Sequence, residues 1–287
     1  MMPIFRTTDA RTLAYTVSGE GATVVMLPGG PGIDPAAFYA GTQLPGFRQV
    51  ILFPRGTGQS NPPPSPDGYE IAGYIADVEE LRVHLDLPQL TLYGSSHGAS
   101  IALAYASAHP ERVHRMVLAA GPARMDVPFA AALSAARVRF ENGAPNGADR
   151  LTASDEAGIS MRSATSAEAH QQATRAMIDT YIAHPTPASS RFLNNLAQAP
   201  ANPDAIPPLV AEMMGGLDLL VNAGWISSPT LVLAGELDVR VPAEHKQLIA
   251  EALPRSELTI FPAIGHLLHA EAPAEWASLV GDFLSRQ

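Results

Sequence analysis

The chain has 287 residues, 46% of them hydrophobic, with 28 acidic against 18 basic side chains and a formal net charge of −10. That length and apolar content suffice for one domain with a large insertion, and the acidic balance without a basic cluster excludes nucleic acid as an expected partner. The absence of cysteine excludes disulfides, thiol catalysis and cysteine-ligated zinc.

In chain order, Met1-Met2-Pro3-Ile4-Phe5-Arg6 is not a basic stretch leading into an apolar one, and no apolar run reaches membrane-spanning length. The expectation is a cytoplasmic protein without a membrane partner. Ile4–Thr7 and Leu13–Val17 read as an antiparallel opening pair, and Val24–Leu27 and Val50–Phe53 as short buried strands. The third strand runs into Pro28-Gly29-Gly30-Pro31-Gly32, which matches neither glycine-rich phosphate-loop pattern, so no nucleotide cofactor is implied. Ile71, Ile75, Val78, Leu81 and Leu85 mark the apolar stripe of a helix, with Asp77, Glu79 and Glu80 opposite.

Leu90–Tyr93 is the next strand, and Ala99 to Ala108 the helix that follows it. Between them lies Gly94-Ser95-Ser96-His97-Gly98. A serine at the apex of a tight strand-to-helix turn has its hydroxyl pushed clear of the sheet, and the crowding there leaves room only for glycine two residues to either side. Ser96 is therefore the candidate nucleophile. Val113–Ala119 continues the sheet.

From 123 to 225 no strand-like run occurs. Phe129, Leu133, Ala136 and Phe140 form one helical stripe, and Ala169, Ala173, Ala176, Met177 and Tyr181 another, with Pro-rich joints at 184–187 and 200–208. This segment reads as a helical cap over the site, with Met213, Met214, Leu217 and Trp225 as candidates to face a pocket. The core is then 1–122 and 226–287, with the cap entering between its sixth and seventh strands.

Thr230–Ala234 is an apolar run bounded by Pro and Gly, and Asp238 falls just beyond its C-terminal end, where open α/β sheets place their sites. Glu236 is two residues too early, and Asp126 is the only substitute. After a helix at 243–253 and a strand at 257–261, the loop Pro262-Ala263-Ile264-Gly265 delivers His266, and Glu271 to Ser285 reads as the final helix. His84, His109, His114, His170, His184 and His245 fall on predicted helices or their ends and read as solvated or capping residues. His269 is the only rival to His266, and its i, i+3 spacing from His266 has no further ligand cluster to make a metal site. Strands alternating with helices predict an α/β fold, a doubly wound, mostly parallel eight-stranded sheet with the helical cap inserted.

The order Ser96, Asp238, His266 suits acyl transfer, with the serine attacking, the histidine as base and the aspartate orienting it. Oxyanion donors are expected from the backbone N–H of His97, at the start of a helix, and of Gly30, with Gly29 second. Gly29-Gly30-Pro31-Gly32, Arg55-Gly56-Thr57-Gly58-Gln59-Ser60, Gly94-Ser95-Ser96-His97-Gly98, and Gly265-His266 with Glu271-Ala272-Pro273 together resemble the α/β-hydrolase superfamily, in its proline iminopeptidase-like branch. Three positions depart from the pattern of that branch: Pro28 where histidine is usual, Phe53 where aspartate is usual, and His97 where tryptophan is common. The resemblance implies a serine hydrolase of a small ester or amide, with an N-terminal peptide bond as the specific version. Selection of a free amine would use cap carboxylates, for which Glu141, Asp155, Glu156, Glu168, Asp179, Asp204, Glu212 and Asp218 are available. Two alternatives stay open: hydrolysis of a carbon–carbon bond in a diketone, and a ligand receptor on a hydrolase fold.

Overall fold

The structure is a computed structural model that describes residues 2–160 and 167–286, without the side chains of 167, 168 and 170. Glu168 and His170 therefore lie outside the described side chains. Eight strands form one open sheet in the order β1-β2-β4-β3-β5-β6-β7-β8. They are β1 (Ile4–Arg6), β2 (Thr12–Ser18), β3 (Ala22–Leu27), β4 (Phe47–Phe53), β5 (Leu90–Ser95), β6 (Val113–Ala119), β7 (Thr230–Gly235) and β8 (Ser256–Phe261). β2 pairs antiparallel with both β1 and β4, and every pair from β4 across to β8 is parallel.

Both faces of the sheet are covered, which is why its central strands are apolar throughout rather than alternating. Because successive side chains point to opposite faces, Val25 and Leu27 join one core while Val24 and Met26 join the other. The first core packs on α2 (Ile71–His84), α3 (His97–Ala108) and α9 (Ala243–Ala252). The second packs on α1 (Pro35–Phe38) and α11 (Pro273–Ser285), with Trp276 Nε1 donating to Tyr93 Oη at 2.9 Å across the buried layer.

Between β6 and β7 run α4 (Val127–Gly143), α5 (Gly147–Ser160), α6 (Ala167–Asp179), α7 (Pro187–Gln198) and α8 (Ile206–Met214). Among the described residues this segment adds no strand to the sheet, only an isolated bridge between Ile33 and Ala201. The prolines expected at joints lie largely at helix starts: Pro187 opens α7 behind a Thr186 cap, and α8 carries proline in its first turn. Proline suits that position because the first-turn N–H is unsatisfied in any case.

Two sequence expectations are corrected, at Asp77 and at the final helix, while Phe53 is buried in its strand as expected. Asp77 is not on a solvated face of α2 but 1% exposed, because Arg55 Nε and Nη2 both donate to its carboxylate at 2.7 Å. Phe53, standing where an acid was usual, is buried and its ring fills the space beside Gly58. His269 belongs to a separate short helix, α10 (Leu268–Glu271), and the last long helix starts at Pro273.

Candidate active site

Ser96 sits between β5 and α3 with φ 53° and ψ −120°, a conformation rare for a residue with a Cβ. The surroundings enforce it. A Cβ on Gly94 would lie 2.3 Å from the Gly98 carbonyl oxygen, and one on Gly98 would lie 2.1 Å from that of Leu27, so only glycine closes the turn. Ser96 N donates to Ala119 O at 2.8 Å, and the hydroxyl makes no capping bond to its own helix. That leaves Oγ free for a partner elsewhere.

The partner is His266. Its Nε2 lies 3.0 Å from Ser96 Oγ, and its Nδ1 lies 2.8 Å from Asp238 Oδ2. With the Nδ1 proton directed at the carboxylate, Nε2 is the lone-pair nitrogen facing the serine. Asp238, three residues beyond β7, is fully buried, and its other oxygen accepts from Arg240 N at 2.7 Å and Val241 N at 3.0 Å. Burial opposes its ionisation. His266, Lys246 and the Val241 N–H together outweigh that and hold the carboxyl below its ordinary range. Glu236 instead accepts from Ala263 N, and Asp126 caps α4 through Phe129 N.

Two loops hold the imidazole. Tyr181 O accepts from both His266 N and Leu267 N, at 2.8 and 3.1 Å, and the Tyr181 ring meets His266 edge-on at 5.0 Å. The Glu271 carboxylate accepts from Gly265 N, Ala183 N and His184 N. On the acid side Arg240 Nη2 donates to Ser154 Oγ, Met177 O and Thr180 Oγ1, and its guanidinium lies 4.8 Å over the Tyr181 ring. The sequence quoted Glu271 within a motif without giving it a task. Arg240 carried no signal of its own, and Tyr181 only its place at the end of an apolar stripe.

The loop 28–32 passes beside the serine, since a Cβ built on Gly29 would lie 3.3 Å from Ser96 Cβ. Neither Gly30 N nor His97 N donates to another group among the described residues. The His97 side chain is buried, with its ring edge-on to Tyr74 at 4.8 Å and its Nε2 without a partner, and burial pushes it down to about 3. His269 points away from the serine: Nε2 pairs with Phe38 O at 2.9 Å in a nest of Phe38, Tyr39, Phe192 and Trp276, and burial pushes it down to about 4. His245, expected on the surface, is buried because Nε2 accepts from Ala123 N at 2.9 Å. Of the pocket candidates, Met213 is buried and Leu217 packs on the first core, whereas Met214 and Trp225 are 71% and 73% exposed.

The comparisons with known proteins agree with this architecture. Residues 22–273 match the family model described as alpha/beta hydrolase fold. A proline iminopeptidase of Arabidopsis thaliana is 36% identical over 116 residues, which are 39% of this chain and 30% of that protein. An uncharacterised protein of Mycobacterium tuberculosis is 25% identical over 292 residues, covering 98% of this chain and 80% of its own length. The solved structure of an esterase from Exiguobacterium antarcticum superposes with a TM-score of 0.75 at 21% identity, covering 99% of this chain and 100% of the esterase. Among the described residues no helix is long and apolar enough to cross a membrane. By the match of its own sequence over most of its length and by its fold, the chain belongs to the α/β hydrolase fold family.

Proposed function

We propose that the chain is a serine hydrolase that cleaves a small ester or amide through an acyl-enzyme, with Ser96 as nucleophile, His266 as base and Asp238 as its orienting acid. The observation that carries this reading is the pair of distances at one buried imidazole, 3.0 Å to Ser96 Oγ and 2.8 Å to Asp238 Oδ2.

In this reaction His266 Nε2 takes the hydroxyl proton as Oγ bonds to the substrate carbonyl carbon. Asp238 stabilises the imidazolium, and the N–H groups of Gly30 and His97 donate to the oxyanion, the second aided by the N-terminal dipole of α3. Collapse breaks the bond to the leaving alcohol or amine, which departs with the proton from His266. Water repeats the cycle on the acyl-enzyme, releasing the carboxylic acid and restoring Ser96. Helices α4–α8, as residues 123–225 of the chain, act as the cap over this chemistry. The bonds from His266 and Leu267 to Tyr181, and from Arg240 to the α5 and α6 region, support that role.

A neutral acyl group suits the cap better than a free amine. Asp155 is paired with Arg137, Asp179 with Arg150 and Arg175, and Asp218 with Arg124, while Glu212 accepts from Ile71 N at the start of α2. Glu141, Glu156 and Asp204 are exposed. The aminopeptidase version draws support from the name of the Arabidopsis relative, whose match spans 30% of that protein.

A fluorophosphonate probe followed by peptide mapping tests the nucleophile. Labelling at Ser96, absent in Ser96→Ala, is the expected result, and no labelling of the native protein overturns the reading in favour of a receptor. A panel of p-nitrophenyl esters, aminoacyl naphthylamides and diketones then fixes the class, with the short neutral esters expected to give the highest kcat/KM.

A further inference from the structure

Ala120, directly after β6, has φ 52°, in the left-handed region that a Cβ disfavours. It opens a turn, residues 120–123, that lies against the nucleophile: a Cβ on Gly121 would be 2.5 Å from Ser96 O and 2.4 Å from Ala99 Cβ. Three side chains from other elements hold this turn. Ser100 Oγ donates to Pro122 O at 2.6 Å, His245 Nε2 accepts from Ala123 N, and Lys246 Nζ donates to Gly121 O. His245 and Lys246 stand in the first turn of α9, four residues after the loop that carries Asp238 begins to close at Val241 and Pro242.

Lys246 is 0% exposed. An ammonium taken out of water needs a compensating charge close by. Asp238 is the carboxylate that acts on it, and Lys246 in turn acts on Asp238. The neighbouring groups do not compete. Glu244 on the same helix is turned outward and paired with Arg139 of α4. His245 is neutral, since burial and then the charge of Lys246 push it down to about 3, with the charges of Asp126, Arg124 and Asp218 bearing less on that ring. The hydrogen-bonded partner of Asp238 is His266.

We propose that Lys246 is a positioning residue for the reaction, bracing the strained turn beneath Ser96 and supplying the positive charge against which Asp238 stays ionised toward His266. The inference rests on the assignment of Ser96, His266 and Asp238 given above. Burial pushes Lys246 down to about 7, so its charge is held below neutrality, the range in which the acid–base pair has to resist protonation. Removing that charge makes the pair take up its proton more readily.

The test is the acid limb of kcat/KM for a neutral ester, measured from pH 4.5 to 8 in the whole protein. Lys246→Gln keeps an N–H donor for Gly121 O and removes the charge, and Lys246→Met removes both. Each should move the acid limb to higher pH by at least half a unit and lower kcat/KM at pH 6 by about threefold or more, while Lys246→Arg keeps the limb in place. His245→Phe, which loses a brace on the same turn without a change of charge, should lower Tm and leave the limb where it is. If Lys246→Met does not fold, Lys246→Gln decides alone. An unshifted limb in Lys246→Gln, with Ser96 still labelled by a fluorophosphonate, overturns the proposal for Lys246 only. Failure of the native protein to label overturns the functional assignment beneath it.

Discussion

Glu271→Ala probes how firmly the base is held. The carboxylate accepts from Gly265 N at 2.9 Å, Ala183 N at 3.0 Å and His184 N at 2.6 Å, so one side chain joins the loop before His266 to the segment after α6. Hydrogen bonds to a charged group contribute roughly 1.5–3 kcal/mol each when fully buried. These are only part-buried, and water recovers some of the loss, so about 1 kcal/mol each and about 3 kcal/mol in all is the working figure. At about 2–4 °C per kcal/mol for a chain of this order of size, Tm should fall by about 6–12 °C. The same segment presents Tyr181 O to His266 N, so the imidazole loses its fixed orientation. A mispositioning that raises the barrier by about 1.4 kcal/mol lowers kcat tenfold. Glu271→Gln, with one accepting oxygen and no charge, should fall between the two. Thermal melts and kcat on a p-nitrophenyl ester measure both effects. A Glu271→Ala protein that melts within 2 °C of the native one, at about full kcat, would refute the view that this carboxylate fastens the base loop.

Ser96→Ala should fold normally and lose activity by a factor on the order of 10⁴–10⁶, and an adduct mapped to Ser95 in the native protein would contradict the register of the turn. Asp77→Ala leaves the buried Arg55 without its carboxylate, a change that costs about 3–5 kcal/mol and should appear as a Tm loss of about 6–20 °C. His97, His245 and His269 are held neutral by burial, at about 3, 3 and 4, whereas in the unfolded chain they protonate near about 6.5. Their folded values are depressed, so stability is full above about pH 6.5 and falls as the unfolded state takes up protons below it, by up to about 4 kcal/mol per pH unit for three sites. A urea midpoint that stays flat from pH 7 to 5 would exclude this.

The central strands were legible because each is a short run buried on both sides of the sheet, so its hydrophobicity is continuous and bounded by turn residues, whereas β1, β2 and β8 are partly exposed and showed only as short runs of strand-forming residues. The serine turn was legible because its glycines answer a steric demand, the close approach of the Leu27 and Gly98 carbonyls. Asp77 was misread for the opposite reason. A buried charge breaks helical patterning and shows itself only through its partner, and Arg55 lies 22 positions away. His245 and Lys246 escaped in the same way: Lys246 falls on the stripe Ala243, Lys246, Ile249 and Leu253, all buried, and a lysine on that stripe was the one available hint. The roles of Arg240 and Tyr181 depend on bonds between α5, α6 and the loops of the sheet, contacts that no local period encodes.

Chain order alone does not bring the three residues together; loop length does. The register runs Ser95 to Ala119, Ala119 to Leu233 and Leu233 to Thr259, so the C-terminal ends of β5, β6, β7 and β8 lie side by side. At about 4.8 Å per strand, β8 stands about 14 Å from β5. His266 must cross that distance back toward Ser96. It lies five residues beyond Phe261, the end of β8, and five residues extend about 17–18 Å at most. The loop is thus barely long enough, with the two side chains closing what its bends take up, while Asp238 needs only three residues because β7 is the intermediate strand. Deleting Ala263 and Ile264 removes about 7 Å of reach. The variant should keep its far-UV circular dichroism and lose activity to the level of Ser96→Ala, because the imidazole can no longer meet Oγ. Activity above about one hundredth of native in that deletion would mean that another histidine serves as base, contrary to the separation of His269 from Ser96 by the Phe38 nest.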